Sequence, residues 1–220
     1  MDRYHDANAP KPPLDTDQVS NLTRESLFQR LPVKLHPVVF FGDSQTANGE
    51  WAEFFPGSLN RGIGGDTSAG LLDRVQTITK LQPKAVFLLI GANDFARGVT
   101  PQQTAANIAT TVSTIRRLSP STLIYLETLT PTWQTSRNRF AKQVNQLIQP
   151  LADGKSIFFL DFYDSFLRGD ILDPSYSYDG GHLNGLGFLV WKRLLDPYAA
   201  RLTAANLTPA QHKDASNKAR

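Results

Sequence analysis

The sequence predicts an α/β protein in which a parallel β-sheet lies between two layers of helices. Three observations predict it. Five short apolar runs alternate with segments of helical periodicity. After its opening lysine the run KAVFLLI at 84–90 is continuously apolar, as a strand covered on both faces must be. Unusual loops follow several of these runs, and strand–helix alternation of this kind builds a parallel sheet whose chemistry sits at the carboxyl ends of its strands.

Taken in order, residues 1–18 are polar and proline-bearing and are expected to form a loosely attached arm. Val19, Leu22, Leu27, Phe28 and Leu31 recur at helical spacing and predict an amphipathic helix docked on the domain. The first strand is expected over 36–41 and a short second one over 58–60. A single helix is expected over 67–81, with Leu71, Leu72, Val75 and Ile78 three and four apart. After the run at 84–90, Thr100 followed by Pro101 is an N-cap with proline in the first helical position; that helix runs to Leu118 and stops before Pro120. Strands at 122–127 and 155–160 bracket a helix at 138–152, and a last helix covers 184–200. The single domain is placed at 19–207, with a polar tail at 208–220.

Bulk properties narrow the function. The 220 residues are 40% hydrophobic and 20% charged, ordinary for one globular domain with a sizeable core. The net charge of +3 is scattered, with Lys213, Lys218 and Arg220 in the tail, so no nucleic-acid footprint is expected. The absence of cysteine rules out disulfides, thiol catalysis and cysteine-ligated metals. The polar N-terminus lacks the apolar core of a signal peptide and no run is long enough to span a bilayer, which predicts a cytoplasmic protein. Oligomeric state is not encoded in any visible pattern.

Four loops carry candidate chemistry. Gly42-Asp43-Ser44 follows the first strand; it either presents a hydroxyl at the sheet edge or caps the next helix. The sequence 60–67, NRGIGGDT, offers backbone N–H groups to an anion or simply makes a capped turn; it matches neither a dinucleotide fingerprint nor a P-loop. Gly91-Ala92-Asn93-Asp94 offers an uncharged amide donor, which suits an oxyanion, or a turn. Asp179-Gly180-Gly181-His182 precedes the last helix. There two glycines let the chain fold back, so that Asp179 reaches the imidazole and leaves the other ring nitrogen to take a proton. One His and one Asp are too few for a metal site, and no cofactor is expected. A hydroxyl, uncharged donors and an oriented base together make the inventory for acyl transfer by serine. The competing reading is a non-catalytic or anion-binding module on a flavodoxin-like scaffold.

These blocks, in this order and spacing over about 38–195, resemble the SGNH hydrolases, the GDSL-like esterases and lipases. The resemblance implies a flavodoxin-like three-layer α/β/α sandwich with a five-stranded parallel sheet. It implies Ser44 as nucleophile with His182 and Asp179 completing a triad, and an oxyanion hole made by the N–H groups of Ser44 and Gly65 and the side chain of Asn93. A small-molecule ester is the implied substrate. The stretch 60–67 is most similar to the branch of platelet-activating-factor acetylhydrolase subunits and small bacterial esterases, implying short acyl groups. Gln45 stands where the family motif often has leucine, a departure expected to bear on substrate and not on chemistry. Phe95, Trp133 and the loop 130–132 are placed to line a pocket, and Arg61 and Arg97 to meet an anionic leaving group.

Overall fold

The computed structural model describes residues 16–204; the tail at 208–220 and positions 1–15 of the arm lie outside them. The chain runs α1 (Thr16–Arg30), β1 (Val38–Gly42), α2 (Ser44–Ala47), α3 (Trp51–Phe54), β2 (Leu59–Gly62), α4 (Ser68–Asp73), α5 (Gln76–Thr79) and β3 (Ala85–Leu89). It continues α6 (Ala92–Ala96), α7 (Pro101–Leu118), β4 (Leu123–Glu127), α8 (Thr135–Ile148), β5 (Ile157–Leu160), a short hairpin β6 (Leu167–Arg168) and β7 (Ile171–Leu172), and α9 (Gly185–Ala204). The five long strands form one parallel sheet in the order β2-β1-β3-β4-β5. With helices on both faces, this is the three-layer α/β/α arrangement expected from the sequence.

Pairing register gives one face of the sheet its character. Phe40, Phe87, Tyr125 and Phe158 are directly opposite one another on four adjacent strands. Their rings stack in sequence, with centroids 5.0, 4.6 and 5.2 Å apart. Trp51 from α3 extends the ladder by stacking on Phe40 at 4.2 Å, and Tyr198 of α9 leans on Tyr125. Aromatic pairs of this kind each contribute about 0.5–1.5 kcal/mol beyond the area they bury. On the other face, Phe41 lies beneath the guanidinium of Arg74, which follows α4. Residues alternate between faces along a strand, so α3 and α9 cover one side, while α4 covers the other and packs in turn on α7.

The helix expected over 67–81 is broken in two. Arg74 leaves the helical region (φ −101°, ψ 10°) and ends α4. Its side chain, buried under the sheet edge, is drawn onto backbone carbonyls described below, and Thr77 Oγ1 donates to the freed Arg74 carbonyl at 2.7 Å. Specific polar anchoring has overridden an uninterrupted apolar period. The helix expected over 138–152 begins earlier, at Thr135, and closes in a 3₁₀ turn at Gln149–Leu151. Thr100 caps α7 by accepting from Gln103 N–H, as its sequence predicts.

One ionisable group sits inside the core. Glu127, at the carboxyl end of β4, is 3% exposed and accepts a 2.6 Å hydrogen bond from Trp191 Nε1. Burial pushes its carboxyl up to about 8, against the smaller opposing effect of the Trp191 bond. Since the unfolded chain ionises near the ordinary glutamate value while the folded chain holds its proton, stability falls as pH rises from about 4 to about 8 and levels off above. Glu127→Gln keeps an acceptor for Trp191 and removes the titration. Its melting temperature is therefore expected to exceed wild type by about 5 °C or more at pH 9 and to converge with it near pH 5, measured by calorimetry across that range.

Candidate active site

Gly42 ends β1, and any side chain there would stand 2.2 Å from the Leu89 carbonyl. That close approach lets the chain turn sharply from the sheet into α2. Asp43 then caps α2, its Oδ1 accepting from Gln45 N–H at 3.0 Å. The capping role weighed for this loop thus belongs to Asp43. Ser44 opens the helix, where a backbone N–H has no intrahelical acceptor. Asp43 is fully buried; desolvation holds its carboxyl at about 7, moderated by the bond from Gln45.

Ser44 Oγ lies 2.9 Å from His182 Nε2, and His182 Nδ1 lies 2.7 Å from Asp179 Oδ2. Asp179 uses its oxygens differently. Oδ2 faces the ring, while Oδ1 accepts from the N–H groups of Gly181 and His182 at 2.9 and 2.8 Å. The hydrogen bond to the His182 ring, joined by those two backbone bonds, holds the Asp179 carboxyl far below the usual carboxylate range despite some desolvation. It is an anion throughout the neutral range. Two further residues shape this turn. Ser177 Oγ donates to the His182 carbonyl at 2.7 Å and accepts from Gly180 N–H at 2.8 Å. Gly180 has φ +78°, and a Cβ there would strike the Trp133 ring at 2.4 Å. Trp133 N–H in turn donates to the Gly180 carbonyl at 2.8 Å.

Gly65 and Asn93 are joined through the residue between them and α4. Asn93 Nδ2 donates to the Asp66 carbonyl at 2.9 Å, which fixes the plane of the amide and leaves its second hydrogen for another acceptor. Gly65 adopts φ +69°, and its carbonyl accepts from Arg97 at 2.8 Å. Asp94, fully buried, accepts from Ser68 N–H at 2.9 Å and ties the start of α6 to the start of α4.

Beneath both sits Arg74. Its Nε pairs with Asp66 Oδ2 at 2.7 Å, and its two terminal nitrogens donate to the carbonyls of Arg61 at 2.8 Å and Gly42 at 2.9 Å. One guanidinium thereby joins the end of β1, the end of β2 and the glycine loop, the segments that carry Ser44 and Gly65.

Of the residues singled out from sequence, Ser44, His182 and Asp179 come together in one hydrogen-bonded chain. Gly65 and Asn93 meet through Asp66. The expectations for the pocket fare differently. Gln45 is buried and turned toward the His182 loop, because its amide finds backbone partners there. Trp133 braces that same loop. Arg61 is 7% exposed and lies over the Phe28 ring of α1 at 4.6 Å, packed away from Ser44. Arg97 is exposed but engaged on Gly65. Arg74 and Ser177 were not singled out. For Arg74 the available signal was a cation three residues after Leu71 and four before Ile78, on the apolar face of its helical pattern. Among the described residues no group of three or more His, Asp or Glu is arranged to hold a metal, and no helix is long and apolar enough to cross a membrane.

The family model for GDSL-like lipases and acylhydrolases matches residues 40–189. No curated protein matches the chain. Among solved structures, it is similar to a candidate acylhydrolase from Bacteroides fragilis, with 26% identity, TM-score 0.70, and coverage of 86% of this chain and 99% of that one. It shares its fold with a candidate platelet activating factor from Streptococcus pneumonia, at 23% identity and TM-score 0.72 over 83% and 92% of the two chains. It also shares it with a family 3 carbohydrate esterase from Clostridium thermocellum, at 17% identity and TM-score 0.63 over 80% and 100%.

The buried ion pair makes a direct prediction. Arg74→Met leaves Asp66 uncompensated and takes one donor each from the Arg61 and Gly42 carbonyls, so it is expected to lower unfolding stability by about 3–5 kcal/mol. The denaturant midpoint should fall with little change in slope.

Proposed function

The chain belongs to the GDSL-like lipase/acylhydrolase family and is a carboxylic ester hydrolase, and we propose that it works through Ser44, His182 and Asp179 by way of an acyl-enzyme. The observation that carries this reading is the unbroken relay from Ser44 Oγ to His182 at 2.9 Å and on to Asp179 at 2.7 Å. A carboxylate on Nδ1 fixes the tautomer in which Nε2 has a free lone pair, and it stabilises the imidazolium once the proton arrives.

In the first step His182 Nε2 takes the Ser44 proton as Oγ attacks the ester carbonyl carbon. The carbonyl oxygen becomes a tetrahedral oxyanion, received by the N–H groups of Ser44 and Gly65 and the remaining amide hydrogen of Asn93. Collapse breaks the bond to the alcohol, which leaves with the proton from His182. Water then attacks the acyl-enzyme, giving its proton to His182, and the carboxylic acid departs as Ser44 is reprotonated. The exposure of the Asp179 and His182 side chains, 57% and 49%, supports ready entry of that water.

We infer that the acyl group is short. The likeness of residues 60–67 to the acetylhydrolase-like branch supports this. The alcohol side is left to a panel that includes acetylated sugars, since a carbohydrate esterase shares the fold.

Ser44→Ala is expected to reduce turnover of p-nitrophenyl acetate to near background and to abolish labelling by a fluorophosphonate; wild-type turnover in this variant would overturn the assignment. Asn93→Ala should lose about 10²–10³ in turnover and Asp179→Asn about 10³–10⁴, with little change in KM. Across a chain-length series, acetate and butyrate esters should be preferred to octanoate, and the reverse order would sink the short-acyl reading.

A further inference from the structure

We propose that Gln45 is a positioning residue that holds His182 at its working distance from Ser44 by clasping the two peptide groups on either side of the histidine. Gln45 is 4% exposed. Its Nε2 donates to the carbonyl of Gly181 at 3.0 Å and to Thr130 Oγ1 at 3.2 Å, while its Oε1 accepts from the N–H of Leu183 at 3.1 Å. Gly181 and Leu183 flank His182. A neutral primary amide carries a donor and an acceptor side by side, so it can satisfy the carbonyl before the histidine and the N–H after it at once.

The two carboxamide contacts do something that Asp179 cannot. Asp179 belongs to the same turn as His182 and sets the internal shape of that turn. Gln45 belongs to α2, one residue from Ser44, so its bonds fix where the turn sits relative to the nucleophile. Moving the histidine away from Ser44 breaks these bonds, of which the one from Leu183 N–H is buried. Thr130, beyond the end of β4, anchors the amide from a third side and fixes its rotamer. A leucine here fills comparable space and makes none of these bonds.

The inference rests on the triad reading, and its test separates the two. Gln45→Leu, Gln45→Glu and Ser44→Ala are compared with wild type on p-nitrophenyl acetate, below the melting temperature measured for each. Gln45→Leu is expected to lose about 10–100-fold in kcat, since displacement of a catalytic group by about 1 Å costs up to 10². KM should stay within about twofold, and fluorophosphonate labelling should slow in step. Gln45→Glu carries the readout that mere packing would not move. Its protonated acid can donate to Gly181 and accept from Leu183, as the amide does, whereas its carboxylate has no donor. The ratio of its kcat to that of wild type should therefore rise as pH falls through the titration of the new carboxyl. Asp43, Asp179 and His182 face the same region in both proteins, and Gln45→Leu, which adds no charge and whose ratio to wild type should stay flat with pH, is the reference that separates the new carboxyl from them.

Wild-type kcat in folded Gln45→Leu, or a flat ratio for Gln45→Glu, overturns the clasp; should Gln45→Leu fail to fold, the ratio alone decides. Full turnover in Ser44→Ala would instead overturn the triad while leaving the hydrogen bonds of Gln45 as they are.

Discussion

A single hydrogen bond between Ser44 and His182 joins positions 138 residues apart, and the surrounding structure is arranged to hold its two ends. The Ser44 end is rigid because it is rooted in the sheet. Gly42 permits the turn, Asp43 caps it, and Arg74 ties its base to β2 and the glycine loop. The His182 end is rigid for a different reason. Its turn is closed on itself by Asp179 Oδ1 and by Ser177, with Trp133 pressed against the one glycine whose positive φ the turn requires. Two separately stabilised units meet at one contact, and hydrogen bonds from Gln45 run beside it.

Charge is distributed accordingly. The side chains assigned to proton transfer, His182 and Asp179, are half-exposed. The charges given to architecture are buried. Arg74 has every nitrogen engaged, on Asp66 and two carbonyls, whereas Glu127 has a single indole partner and escapes the cost of burial by keeping its proton. Asp43 stands between these cases, buried beside Ser44 with one backbone donor and a carboxyl held at about 7.

Much of this was legible in the sequence because the signals are local. The apolar run at 84–90, the Thr100-Pro101 cap and the Asp179–His182 spacing each depend on a few neighbouring residues, and each appears where expected. What escaped depends on register or on distant partners. Phe40, Phe87, Tyr125 and Phe158 all lie in expected strands, yet only the pairing of strands reveals that they face one another. Arg74 hid inside a helical period, and its three acceptors come from three other segments. Gln45 read as a departure from a motif because its partners, Gly181 and Leu183, are on the far side of the chain. Arg61 was misjudged for the same reason: its partner is Phe28 of α1, which no local pattern links to the glycine loop.

The separation between the two ends of the central contact also sets an order in time. Strands β1 to β5 and the Ser44 turn are complete by Leu160, and the hairpin and the histidine turn come after them. Because loop closure over so long a span follows the formation of local structure, a chain emerging from the ribosome can assemble its sheet before Ser44 meets His182. The meeting of Ser44 with His182 is thus among the last contacts the described fold acquires, and its formation reports that the segment from the hairpin through α9 has docked onto the sheet.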